Sequence, residues 1–267
     1  MIFELGEMVE WLHPYDAFFS MNLLVDSGGG ICEVGVYKGG YLITMLKNIP
    51  RINAVAIDPY PGLNSIKETF FNNLLSHGLK DRVRHFAHYD SLKENSFDLI
   101  HIDGEHSESA VTKDLYFAQN NLAKRGIIVV DDIWHPLFPG VVSATFKFVH
   151  ESKFVPFLST RQKMYICTES EYEYFFSQAS ELLQKFNIPH SSGWKKGSRI
   201  HPGGRATFDQ SNAIKGFPQL VVDSRSKSEQ LIILDMASEA MRVPKRVLKQ
   251  LLPPLLLSVL KKLATKV

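Results

Sequence analysis

The chain has 267 residues, of which 45% are hydrophobic and 22% are charged, a composition typical of a globular protein that buries a sizeable core. Its 30 Lys and Arg residues nearly balance its 28 Asp and Glu residues, and the net charge of +2 excludes a molecule-wide basic field for nucleic acid. Two cysteines exclude a cysteine-rich zinc site. The sequence has neither a signal-peptide pattern nor a run of about 20 apolar residues, which predicts a cytoplasmic protein without a spanning helix.

Strand-like and helix-like patterns alternate over the first 150 residues. The apolar runs that predict strands are continuous, which indicates burial on both faces of a sheet. This alternation predicts a parallel sheet covered by helices. The predicted strands are 30–36, 54–57, 83–87, 97–102 and 126–130, and the predicted helices are 40–48, 64–77, 109–123 and 142–150.

The pattern changes after residue 150. Residues 153–159 and 163–168 are strand-like and separated by a few polar residues, which predicts an antiparallel hairpin, and 169–186 is helical. The predicted fold class is therefore α/β, a doubly wound, seven-stranded and mostly parallel sheet that ends in an antiparallel hairpin and is followed by a helical C-terminal extension.

Four segments follow from these patterns. We expect an N-terminal helical cap over 1–24, an α/β domain over 25–190, a loop or linker over 191–219, and a basic helical extension over 220–267. From residue 242 onward there are seven basic residues and no acidic ones, with apolar residues at helical spacing. This tail could pack on the body, form a homodimer, or contact a membrane surface.

Ligands of open α/β sheets bind at the carboxyl ends of the strands, near the switch in strand order. The first strand leads into Glu33, Gly35 and a further glycine, in the pattern E-x-G-x-x-x-G. The second ends at Asp58, where a carboxylate can bind two ribose hydroxyls. Because the pattern is not G-x-G-x-x-G, a diphosphate-binding turn fits less well.

Three further carboxylates lie at the ends of the fourth and fifth predicted strands. Asp103 ends the fourth strand, and Asp131 and Asp132 end the fifth. If these strands are neighbours, the three side chains converge and offer the hard oxygen ligands that Mg²⁺, Ca²⁺ or Mn²⁺ prefers. The alternative is that the aspartates cap the following segments and order the loops.

The motifs EVGVYKGG, AIDPYPG, FDLIHIDGEHSESAV and GIIVVDDIW together resemble those of the class I S-adenosylmethionine-dependent methyltransferases. Within that class the sequence is most similar to the macrocin-type sugar and natural-product O-methyltransferases, and more distantly to the catechol O-methyltransferases. The resemblance covers roughly residues 25–170. It implies the Rossmann-like methyltransferase fold, including the terminal hairpin.

The resemblance also implies roles for individual residues. Glu33 and Gly35 would line the methionine part of the cofactor, and Asp58 would hold its ribose. Asp103, Asp131 and Asp132 match the metal-binding carboxylates of the metal-dependent members. The complete implied set of cofactor-binding residues is Glu33, Gly35, Tyr37, Lys38, Gly40, Asp58, Tyr89, Asp90, Ser91 and Asp103, with Tyr89, Asp90 and Ser91 near the adenine.

Two residues compete for the role of catalytic base beside Asp103. His106 lies where the catechol branch has its lysine base, and imidazole has a suitable ordinary pKa. Glu105 matches an acidic residue of the macrocin type. His106 could instead cap the helix that starts near Ser107.

The implied reaction is methyl transfer from S-adenosylmethionine to a hydroxyl of a small acceptor, a sugar or a secondary metabolite, assisted by Mg²⁺. One alternative is a metal-independent methyltransferase that uses His106 as its base. The other is a non-catalytic binding or scaffold module whose basic tail meets a membrane or a partner protein.

Overall fold

A computed structural model describes residues 14–25, 27–92, 96–160, 162–186, 188, 190–192 and 220–222. Most of the predicted N-terminal cap, most of the predicted linker and the basic tail from residue 223 onward lie outside these residues. The predicted homodimer and membrane contacts of the tail therefore remain predictions. Within the described part, no helix has the length and apolar character needed to cross a membrane.

Six helices and nine strands make up the described structure. The helices are α1 (Pro14–Leu23), α2 (Gly40–Asn48), α3 (Asn64–Ser76), α4 (Glu108–Asn121), α5 (Pro139–Glu151) and α6 (Tyr172–Lys185). The strands are β1 (Ile31–Val34), β2 (Ala54–Ile57), β3 (Val83–Phe86), β4 (Phe97–Ile102), β5 (Leu122–Val130), β6 (Phe154–Ser159), β7 (Met164–Thr168), β8 (His190–Ser192) and β9 (Leu220–Val222).

The strands form one sheet in the order β3-β2-β1-β4-β5-β7-β6-β9-β8. Strands β1 to β5 are parallel, and β7 is antiparallel to both β5 and β6. The predicted seven-stranded sheet with its terminal hairpin is thus confirmed. The short strands β8 and β9 extend it at the β6 edge, where β9 runs parallel to β6.

Apolar side chains cover both faces of the sheet, as the continuous apolar strands predict. All residues of β1, β2 and β4 are buried. One core joins α1, α2, α3 and α6 to the sheet, and a second core joins α4 and α5 to the opposite face.

Several element boundaries differ from the predictions by a few residues, and the starts of β5 and α5 are two of them. Strand β5 begins at Leu122 rather than near residue 126, because Leu122 already pairs with Phe97 and a register shift accommodates the extra residues. Helix α5 begins at Pro139, three residues earlier than predicted, with proline in the first helical turn where its missing N–H is not needed.

Strand order reverses at β1, which lies between β2 and β4. The carboxyl ends of β1, β2, β4 and β5 therefore meet along one edge of the sheet. This is the position at which open α/β sheets bind ligands.

Candidate active site at the carboxyl ends of the strands

Gly35, the residue after β1, packs closely against the loop after β4. Its φ of +83° lies in the left-handed region, and a Cβ there would be 2.0 Å from the carbonyl oxygen of Asp103. Glycine is therefore required by the close approach of two backbone segments, in addition to any ligand. This contact fixes the distance between the β1 loop and the acidic residues that follow β4.

Asp58 shapes the loop after β1. Its Oδ2 accepts hydrogen bonds from the backbone N–H groups of Val36 and Tyr37, both at 3.0 Å. Its Oδ1 accepts from the N–H of Tyr60 at 2.9 Å, and the Tyr60 hydroxyl donates to the Tyr37 carbonyl at 2.7 Å. A carboxylate has about four acceptor positions, so Asp58 orders this loop with three of them and has about one left for a ligand hydroxyl.

Glu33 is buried in the centre of the edge, at 2% exposure. Its Oε1 lies 2.9 Å from Nδ1 of His101, while its Oε2 is buried and accepts no hydrogen bond from the described residues. Burial raises the pKa of Glu33, and the interaction with His101 opposes that shift. An orphaned carboxylate oxygen of this kind fits a cationic ligand group such as an ammonium.

His101 is a fully buried histidine of β4. Its ring stacks on Tyr41 with centroids 3.9 Å apart, and its Nε2 lies 2.9 Å from the ammonium of Lys163. The Lys163 ammonium also contacts Asp131. Glu33, His101, Lys163 and Asp131 thus form a continuous row of ionisable groups from the end of β1 to the end of β5.

The acidic edge contains a second group around His106. Its Nε2 lies 3.3 Å from Oδ2 of Asp132 and 3.7 Å from Oδ1 of Asp103. These two carboxylates raise the pKa of His106 to about 9. The ring stacks on Phe138 with centroids 4.1 Å apart, which holds it in place between the aspartates.

The three aspartates do not have equal surroundings. Ligand atoms of Asp103, His106 and Asp132 lie within 4.8 Å of one another, and so do those of His101, Asp103 and Asp131. Asp132 has a φ of +53°, an uncommon conformation that aspartate tolerates better than most residues and that is frequent at functional sites. Burial by itself would raise the pKa of Asp131. The Lys163 ammonium and His101 outweigh this effect and hold the pKa of Asp131 below its ordinary value.

The remaining predicted residues lie around this edge. Tyr37 is 49% exposed, and the Lys38 ammonium lies 5.2 Å from its ring centroid. Gly40 is the first residue of α2. Glu105 is exposed beside Asp103.

The predicted adenine-binding residues form a single turn of 3-10 helix over Tyr89–Ser91. The Tyr89 ring stacks on Phe117 with centroids 4.7 Å apart, and Asp90 is exposed. The structure thus fixes the Tyr89 ring against α4 and leaves the carboxylate of its neighbour accessible.

Sequence reasoning missed Lys163, Tyr41 and Phe138. Lys163 lies in the turn between β6 and β7, where a lysine ordinarily points into solvent. Tyr41 and Phe138 are aromatic residues of a helix and a loop, and their contacts with His101 and His106 depend on the packing of separate elements. No local sequence signal distinguishes these three residues from ordinary packing or turn residues.

Residues 32–133 match the family described as "Methyltransferase domain". An uncharacterized protein of Acanthamoeba polyphaga mimivirus is 29% identical over 143 residues. That match covers 47% of this chain and 62% of the length of this curated relative.

Solved structures of similar proteins include one at a TM-score that supports a shared fold. Cofactor-bound Rv0187 from MTB has a TM-score of 0.50 at 15% identity, over 62% of this chain and 84% of that chain. The O-methyltransferase TomG from Streptomyces achromogenes, in complex with SAM, has a TM-score of 0.44 at 16% identity over 57% and 77%. An O-methyltransferase from Bacillus cereus, in complex with SAH, has a TM-score of 0.47 at 14% identity over 61% and 82%.

The family match spans the whole edge of the sheet described above, from the residue before Glu33 to the residue after Asp132. It therefore includes the β1 loop, Asp58, His106 and the three aspartates. Residues 32–133 therefore match a methyltransferase domain, in agreement with the resemblance that the sequence motifs indicate.

Proposed function

We propose that this protein transfers a methyl group from S-adenosylmethionine to a hydroxyl of a small acceptor, a sugar or a secondary metabolite, assisted by a divalent cation such as Mg²⁺. The observation that carries the proposal is a juxtaposition of two kinds of site on one edge. A buried carboxylate with an orphaned oxygen, Glu33, lies on the same edge as the accessible carboxylates Asp103 and Asp132.

The cofactor would bind along the ends of β1 and β2. Glu33 would accept from the ammonium of its methionine part, because Oε2 is buried and has no hydrogen bond from the described residues. Asp58 would accept from a ribose hydroxyl while its bonds to Val36 and Tyr37 keep the loop rigid. Since the sulfonium methyl is already activated, the protein mainly supplies orientation and a deprotonated acceptor oxygen.

The donor set at the acidic edge fits a hard divalent cation. Asp103 and Asp132 supply carboxylate oxygens close to one another, and their side chains are 34% and 22% exposed, so substrate and water can reach them. A bound cation would lower the pKa of an acceptor hydroxyl and orient its oxygen.

We assign different roles in proton transfer to His106 and Glu105. Without a bound cation, Asp103 and Asp132 raise the pKa of His106 to about 9, so His106 is an imidazolium at neutral pH. A divalent cation that binds the same two carboxylates would replace this charge and release the His106 proton. Glu105 is exposed beside this pair, and we assign it as the residue that accepts the acceptor's proton. A metal-independent reaction is the second candidate, because the His106 cation already lies between the two carboxylates.

Calorimetric titration of S-adenosylhomocysteine, with and without Mg²⁺, tests the proposal. We expect micromolar binding, and we expect Asp58→Ala to weaken it at least about tenfold, as the loss of charged hydrogen bonds predicts. The matched control is Asp81→Ala, which removes an exposed carboxylate from the turn before β3.

The absence of S-adenosylhomocysteine binding in both conditions would refute the proposed function. Binding without any heat of Mg²⁺ association would favour the metal-independent reaction. Circular dichroism of each variant checks that the fold is kept.

A further inference from the structure

Lys163 is a charged residue that is 1% exposed. It lies in the turn of the β6–β7 hairpin, where its N–H donates to Oγ1 of Thr160 at 3.0 Å and its carbonyl accepts from the N–H of Thr160 at 2.9 Å. The N–H of Ile133 donates to the carbonyl of Gln162 at 2.9 Å. The turn is thereby fastened to the segment that follows β5.

The hairpin turn is also fastened by a side chain. Nε1 of Trp134 donates to Oγ of Ser159 at 2.9 Å. The backbone bond at Ile133 and this side-chain bond flank the position of Lys163. These two contacts hold the hairpin turn against the segment after β5, and the Lys163 side chain is thereby directed to the end of β5.

The Lys163 ammonium has a defined set of neighbours. It donates to Oδ2 of Asp131, lies 2.9 Å from Nε2 of His101 and lies 5.3 Å from the centroid of the Tyr41 ring. A buried ammonium requires such pairing, since an isolated charge in the protein interior is costly.

Both oxygens of Asp131 are engaged by the protein. Oδ1 accepts the N–H of Asp132 at 2.8 Å, and Oδ2 accepts from Lys163 and lies 3.7 Å from Nε2 of His101. The Asp131 side chain is 16% exposed, less than those of Asp103 and Asp132, which face the His106 ring instead.

We propose that Lys163 is a positioning residue that serves as the built-in counter-cation of Asp131 and keeps this carboxylate out of the divalent-cation site. Of the three aspartates at the edge, Asp103 and Asp132 then bind the cation, and Asp131 holds the β5 end through Lys163. This inference rests on the proposed function, and it changes the ligand set that the sequence predicts. A divalent cation at Asp131 would have to approach an oxygen that an ammonium already contacts, and the repulsion between the two cations opposes this.

The test is calorimetric titration of Mn²⁺ alone, with the paramagnetic resonance signal of free Mn²⁺ as a second readout. We expect Asp131→Asn to change the dissociation constant less than about threefold and Asp132→Asn to raise it at least about tenfold, because only the latter removes a ligand. We expect Lys163→Met to tighten Mn²⁺ binding at least about tenfold, because it releases an oxygen of Asp131. A lysine that only supports the fold would not produce tighter binding when removed.

Three results would overturn the inference: no Mn²⁺ binding to the wild-type protein, equal losses in D131N and D132N, or weaker binding in folded K163M. If K163M does not fold, D131N against D132N decides the question without it, and both are isosteric substitutions. Failure of the proposed function is seen separately, since S-adenosylhomocysteine binding to the wild-type protein does not depend on which aspartate binds Mn²⁺.

Discussion

Asp114 gives a sharp test of the electrostatics of this fold. The residue lies on α4, is 6% exposed and faces the loop after β4, close to Gly104. Burial raises the pKa of Asp114 to about 7, the charge of Glu105 adds to the shift and that of Lys113 opposes it. The folded chain therefore keeps a proton on Asp114 at pH values where the unfolded chain has lost it.

The sign of the stability effect follows from proton counting. Between about pH 4 and pH 7 the folded state binds more protons than the unfolded state, so this residue's contribution to the free energy of unfolding falls as pH rises. One group accounts for at most about 1.4 kcal/mol per pH unit, or about 4 kcal/mol across this window. Asparagine at position 114 has no such dependence, because it does not ionise.

Urea unfolding of the wild-type protein and Asp114→Asn at pH 5, 6, 7 and 8 measures the effect. The stability of Asp114→Asn relative to wild type should rise by about 2 kcal/mol between pH 5 and pH 7 and then level off above pH 8. The control Asp81→Asn removes an exposed carboxylate and should follow the wild-type curve. Parallel curves for Asp114→Asn and wild type would refute the reasoning.

Two glycines and one buried aspartate give further predictions. Gly35→Ala places a Cβ 2.0 Å from the Asp103 carbonyl oxygen, and urea unfolding should show a loss above the roughly 1–2 kcal/mol of a left-handed alanine. Gly62→Ala, at φ +69° with open space around it, should lose only that amount, and equal losses would contradict the packing argument. Asp98 accepts hydrogen bonds from the N–H groups of Gly29 and Gly30, so Asp98→Ala should lower the free energy of unfolding by about 3 kcal/mol. An unchanged urea midpoint would refute that role for Asp98.

Most helices and strands of the fold could be predicted from the local pattern of apolar and polar residues. Continuous apolar runs predicted β2 and β4 with their observed bounds, and the helix over 40–48 has the predicted bounds as well. These predictions succeed because burial on both faces demands unbroken apolar strands, and that demand is visible in neighbouring residues. The start of β5 could not be predicted in this way, since residues 122–125 join the strand only through pairing with Phe97.

The sequence by itself determined which residues stand at the strand ends. Asp58, Asp103, Asp131 and Asp132 follow apolar runs at the carboxyl ends of parallel strands, and Glu33 lies one residue before the end of β1. Their presence on one edge follows from the parallel arrangement alone. The methyltransferase motifs are visible in the sequence because each one consists of an apolar strand and the residues at its end.

Only the tertiary structure decided how these carboxylates are paired. Glu33 meets His101 across 68 positions, and Asp131 meets Lys163 across 32 positions, through a hairpin that returns to β5. Nothing near Lys163 in the sequence marks it as buried. Its charge is stabilised there only because the strand order brings β1, β4, β5 and the hairpin turn together, and a buried ion pair depends on that spatial arrangement rather than on any local pattern.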